Sequence, residues 1–184
     1  MKSNFYIIKF FIIFFYCFLQ LNHVFSKDLN FKASEIITYE EGNLVIGKKD
    51  AEAKINGELE IYADKFTYNR DKETLVAEGN VKAVDIINKI DIQSNKIFYD
   101  KTQNKIVSFG KTNFIVDKIY TIYSEDVNFL LNENIIFSDK STELKDNENN
   151  YIQLASFRYL NQSEIIKGKN IKLLDKEGNN YFTN

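Results

Sequence analysis

The sequence predicts an all-β protein, an elongated twisted β-jelly roll or antiparallel β-solenoid built from strand–turn–strand repeats. Three observations predict it: an aromatic-closed motif recurring at near-constant spacing, period-2 alternation within each copy, and polar turn clusters at a fixed phase between copies. Tyr39, Tyr68, Tyr99, Phe129 and Tyr159 close successive copies, at spacings of 29, 31, 30 and 30 residues.

The clearest copy runs Ile61-Tyr62-Ala63-Asp64-Lys65-Phe66-Thr67-Tyr68, and segments starting at Ile92, Ile122 and Ile152 match it. An earlier copy, Lys32 to Tyr39, is weaker at its first position. Ile61 and Ala63 share one parity while Phe66 and Tyr68 share the other. Both pairs return to one face only if a bulge or corner lies between them. Polar clusters at 69–73, 100–104, 132–134 and 161–164 read as turns, and return strands follow at Leu75 to Val81 and from Ile106 to Gly110. Gly47, Gly79, Gly110 and Gly168 sit in these return strands, where glycine marks a bend or a close backbone approach. A second turn series falls at 85–91, 145–150 and 175–180. Adding one period to Ile152 and Leu154 lands on Phe182 and Asn184, so the sequence stops inside a sixth copy.

The first residues have a different character. A lysine near the start is followed by an almost continuous apolar run from Phe5 to Leu21, then Val24-Phe25-Ser26. That order of charge, apolar run and small residue reads as a secretory signal peptide over 1–26, cleaved before Lys27, with an uncleaved anchor as the other reading. Residues 27–184 then form the β domain. Bulky Phe14-Phe15-Tyr16 before Cys17 argue against lipid attachment there.

The only cysteine, Cys17, and the only histidine, His23, both lie in that leader. From Lys27 onward there is no thiol or imidazole, so disulfides, Cys/His metal sites and histidine-based triads are excluded by inventory. No catalytic residue, metal ligand or cofactor is expected. With 22 basic and 26 acidic residues after position 26, the net charge is −4, and no basic cluster offers a footprint for nucleic acid. Asp64, Glu125 and Asp126 occupy similar places in different copies. Asn95 and Ala155 replace them elsewhere, so solvated edge charges explain them better than paired-carboxylate hydrolysis.

The apolar positions form one stripe: Ile61, Ala63, Phe66, Tyr68, Leu75, Ala77 and Val81 in the clearest copy; Ile92, Ile97, Tyr99 and Ile106 in the next; then Ile122, Val127, Phe129, Ile135 and Phe137; and finally Ile152, Phe157 and Tyr159. An ordinary sandwich core needs such a face. So does a lipid-lined groove.

Ala63-Asp64-Lys65-Phe66-Thr67-Tyr68-Asn69 followed by Leu75-Val76-Ala77-Glu78-Gly79-Asn80-Val81 resembles the repeat signature of the OstA-like family of periplasmic lipopolysaccharide-transport proteins. The similarity spans about residues 31 to 170, and Phe31 to Ile36 resembles the start of the periplasmic N-terminal domain of the family's outer-membrane assembly protein, with the periplasmic bridge protein the next most similar. Asp139 stands where other copies have glycine, and Leu154 replaces a small residue. The resemblance implies an open-sided β-jelly roll in the periplasm, associated with the outer membrane, whose apolar stripe shelters the acyl chains of lipopolysaccharide. It also implies partners: other OstA-like domains joined by edge-strand pairing at Ser34, Ile37 and Tyr39, and an outer-membrane lipoprotein if the chain is part of the assembly protein. A different class remains open, a secreted β-solenoid that binds or cleaves polysaccharide, as does an adhesin-like surface repeat.

Overall fold

A computed structural model describes residues 29–183; the leader expected at 1–26, and Asn184, lie outside the described residues. The chain is all-β. Its strands are β1 (Leu29–Lys32), β2 (Glu35–Tyr39), β3 (Leu44–Ile55), β4 (Leu59–Asn69), β5 (Thr74–Asp85), β6 (Ile90–Asp100), β7 (Lys105–Val116), β8 (Tyr120–Glu125), β9 (Asn128–Leu130), β10 (Ile135–Ser138), β11 (Thr142–Asp146), β12 (Tyr151–Leu154), β13 (Ser156–Leu160), β14 (Ile165–Lys169), β15 (Ile171–Leu174) and β16 (Asn180–Thr183). Each pairs antiparallel with its neighbours.

Strands β3 to β7 each cross two half-sheets. The register slips at mid-strand, between Lys48 and Ala51, Tyr62 and Lys65, Glu78 and Val81, and Ser94 and Lys96. One half-sheet runs from β1 through the slips to β8, β11, β12, β15 and β16; the other runs from β2 to β9, β10, β13 and β14. In the later repeats the slip becomes a full break, as between β8 and β9. The corner inferred from the parity change is therefore the line along which the molecule folds into two facing layers.

Left-handed backbone makes this line. Gly79 and Asn80 (φ 77° and 47°), Gly110 (72°), Asp126 (48°) and Asn170 (50°) all lie on it; such φ values suit glycine, asparagine and aspartate. The carboxylates noted in the sequence act here. Asp64 accepts a hydrogen bond from the Asn80 side-chain amide at 2.9 Å, and Asp126 accepts the Gly110 N–H at 2.9 Å. Gly47 and Gly168 serve the other purpose. A Cβ at Gly47 would strike the Phe66 ring, and one at Gly168 would strike Leu154.

Turns stack in register at both open margins. On one margin Lys101 N–H donates to Glu73 O (3.0 Å), Leu131 N–H to Asn104 O (3.0 Å) and Asn161 N–H to Asn134 O (3.0 Å), so each turn satisfies the next. On the other, Ile86 N–H donates to Glu58 O and Asp117 N–H to Lys89 O, both at 2.9 Å, while Asp85, Asp146 and Asp175 brace their own turns by accepting from Asn88, Asn150 and Asn179. The thirty-residue period follows from this stacking, because an insertion would break both ladders.

Candidate functional site

The inner faces of the two half-sheets meet in one apolar strip along the molecule. Ile61, Phe66, Tyr68, Leu75, Ala77, Val81, Ile92, Ile97, Tyr99, Ile106, Ile122, Val127, Phe129, Phe157 and Tyr159 all point into it and are buried. Ala63 and Ile152 pack against it, partly buried. Ile135 and Phe137 do not belong to it. In β10 the inward residues are Ile136 and Ser138, both at most 1% exposed, and Ile136 lies opposite Phe129 and Tyr159. Phe137 lies on the outer face, where the Arg158 guanidinium sits 4.8 Å from its ring centre. The run Ile135-Ile136-Phe137 has no alternation, so sequence could not fix its parity; the register with β9 does.

Sequence reasoning also missed a seam of hydroxyls beside the fold line. Thr112 Oγ1 donates to Ser108 Oγ across the two half-sheets at 2.7 Å, and Ser124 and Thr142 share a bond of 2.8 Å. Ser138 Oγ donates to Glu125 O at 2.6 Å. The five hydroxyl residues are at most 6% exposed. The signal was available as a small residue recurring two positions from the kink, but it was hidden by the change from alanine in early repeats (Ala51, Ala77) to serine and threonine in later ones.

Side chains fill the strip along its middle. The sheet is unclosed, as the resemblance implies: no strand pairing seals the margin opposite the fold line among the described residues, and a cleft of about 280 Å³ lies there between the two turn rows. Ile55, Leu59, Ile87, Tyr99 and Leu131 line it together with Asn88, Asn104 and Asn134. Asn161 Nδ2 bridges the two rows to Asn88 Oδ1 at 3.4 Å. Burial pushes the Tyr99 and Tyr159 phenols up to about 12, so both stay neutral inside. Unfolding exposes them to ionisation near their ordinary value of 10.0, so stability is retained below pH 10 and falls as pH rises toward 12. An alkaline titration followed by tyrosinate absorbance should show two late-ionising phenols, released together with the loss of β-sheet circular dichroism.

Towards its ends the strip is uncovered. Ile36, inward on β2 opposite Gly47, is 51% exposed. Phe31 on β1 reaches across to stack on Phe66 at 4.7 Å and meets the Tyr68 ring at a tilt, 5.1 Å between centres. At the far end Ile166, Ile171 and Leu173 are partly buried and Tyr181 is 53% exposed.

The predicted partner edge lies on β2, which pairs only with β3 among the described residues. Ser34 N–H donates to Lys49 O and Asn43 N–H to Glu40 O, both at 2.9 Å. These pairs bracket the β2–β3 register, and antiparallel pairs alternate, so residues 36 and 38 bond to β3 while the N–H and C=O of Glu35, Ile37 and Tyr39 face outward. Ser34 itself faces β3 through its N–H. At the other end β14 is likewise paired on one side, whereas β15 is covered by β12 and β16.

No family model matches the chain, and no curated protein matches it in sequence. Among solved structures it is similar to LptH from Pseudomonas aeruginosa, described as the LptA-homologous periplasmic component of the conserved lipopolysaccharide transport device. Identity is 12%, the TM-score is 0.48, and the match covers 77% of this chain and 82% of that one.

Proposed function

We propose that this chain is a non-catalytic lipid-conduit domain of the lipopolysaccharide export system, periplasmic and associated with the outer membrane. In this reading it is most like the N-terminal domain of the assembly protein, on the resemblance at Phe31 to Ile36. The observation that supports it is the unbroken apolar strip between two half-sheets, buried at mid-length and exposed toward both ends. The half-sheets are joined covalently along the fold line, while among the described residues one long hydrogen bond bridges the opposite margin. Separating them there would expose apolar surface at roughly 25 cal/mol per Å², whereas acyl chains entering the gap re-cover it at about 0.8 kcal/mol per CH₂. A closed interior is thus the expected lipid-free state, and the contact is non-directional enough for a chain to slide.

Photo-crosslinking residues test this. Placed at Phe66, Ile97 or Val127 they should capture lipopolysaccharide in cells. At Lys65 or Lys96, which point outward to clasp Glu78 at 3.3 and 3.0 Å, they should not. Equal labelling on both faces would reduce the strip to an ordinary core.

Edge pairing is the second part of the proposal. The outward N–H of Ile37 is free to donate to a strand added by another domain of the family. Ile37→Pro removes that donor without touching a bond to β3, so it should leave circular dichroism unchanged and weaken binding to a purified bridge protein by about tenfold. Unchanged affinity in a folded variant would exclude this edge as the contact.

A further inference from the structure

The outer face of the first half-sheet carries a depression of about 1080 Å³ that the lipid reading does not use. It crosses β5, β6, β7, β8 and β11, a span of about 19 Å at the usual strand spacing. Its floor is a row of cross-strand neighbours: Lys82 opposite Gln93, Gln93 opposite Asn113, Asn113 opposite Tyr123, and Tyr123 opposite Glu143. Ser94, Asn95 and Ser141 stand along the side nearer the fold line.

Elsewhere on this face polar groups are mutually engaged. Lys54 bonds Glu60, which accepts the Tyr62 hydroxyl. Among the described residues, Gln93, Asn113 and Tyr123 form no such bonds. The Asn113 Oδ1 is shielded from solvent and accepts no hydrogen bond, and the Tyr123 ring is 50% exposed. Cations in the depression are already opposed: Lys82 by Asp91 and Lys140 by Asp126, both at 3.9 Å, and Lys111 by Glu125 across the β7–β8 pair.

The geometry points to a saccharide-binding trough, in which the Tyr123 ring stacks on a sugar face while the amides of Gln93 and Asn113 bond its hydroxyls. Balanced charge disfavours a polyanion, which would need unopposed lysines. A docking strand would need a free sheet edge, and every strand here is paired on both sides. A linear polyol chain with apolar ring faces matches an amide-rich floor around one half-exposed aromatic. Val81, Thr112 and Ser124 form the thin wall between this depression and the interior, but Gln93, Asn113 and Tyr123 are not members of the lipid strip, so the proposal stands without it.

The chain has no tryptophan, so Tyr123→Trp in the otherwise intact protein gives a single reporter. Titration with maltohexaose and with lipid-free oligosaccharide released from lipopolysaccharide by mild acid should shift its emission saturably with at least one of them. Gln93→Ala and Asn113→Ala should each weaken binding about tenfold, the loss of roughly one hydrogen bond. Tyr62→Ala, on the same face outside the trough, should not. On the unsubstituted protein, amide resonances of residues 93, 113 and 123 should move with the same sugar. The absence of both signals from folded protein, or equal loss in Tyr62→Ala, overturns the assignment. Because neither sugar bears an acyl chain, the outcome is independent of the crosslinking result.

Discussion

Phe129→Ala is expected to lower the unfolding free energy by about 3–5 kcal/mol, whereas Phe137→Ala should cost less than about 1 kcal/mol. The two phenylalanines lie in adjacent strands of one half-sheet, and sequence grouped them together. Phe129 is fully buried between Ile106 and Ile136, its cross-strand neighbours in β7 and β10. Removing its ring forfeits both the transfer energy and the packing contacts around it. Phe137 faces outward and engages Arg158, an exposed cation–π contact of modest worth. Urea denaturation of the two variants checks this directly. Similar losses would mean that β10 is registered one residue away from the pairing described.

Gly47→Ala is expected to destabilise by about 1–3 kcal/mol, and Phe66→Leu should recover part of that loss in the double variant. Gly47 lies opposite Phe66 in the β3–β4 pair, and the ring lies over the glycine where a Cβ would be. The added methyl must displace the ring, and Phe31 stacks on that ring at 4.7 Å, so the shift also disturbs this contact. Leucine lacks the ring atoms that collide, so the two substitutions should be non-additive. A thermal-melt double-mutant cycle measures the coupling. Strict additivity would show that the ring does not cover this glycine. Because Phe31, Phe66 and Tyr68 form one aromatic cluster at the β1 end of the strip, the single variant should also raise lipid labelling at Phe66 if acyl chains enter there.

The all-β class, the repeat and the turn phases were legible because each is a local property. Period-2 alternation, Asx turns and left-handed glycine or asparagine are set by a residue and its near neighbours. The carboxylates at the kinks are exposed, as solvated charges should be, but their hydrogen bonds are not local, because Asn80 and Gly110 lie sixteen residues away.

Most of the interior stripe was equally readable from the sequence alone, since an alternating strand buried on one face admits a single parity. What only the tertiary structure decided was the rest: the outward side of Ile135 and Phe137, the hydroxyl seam, the filling of the groove by its own side chains, and the polar row on the outer face. Ser124 and Thr142 are eighteen residues apart, and Gln93 and Asn113 are twenty apart. Their chemistry depends on the register between strands, which is fixed by many weak contacts summed across both half-sheets rather than by any short stretch of chain.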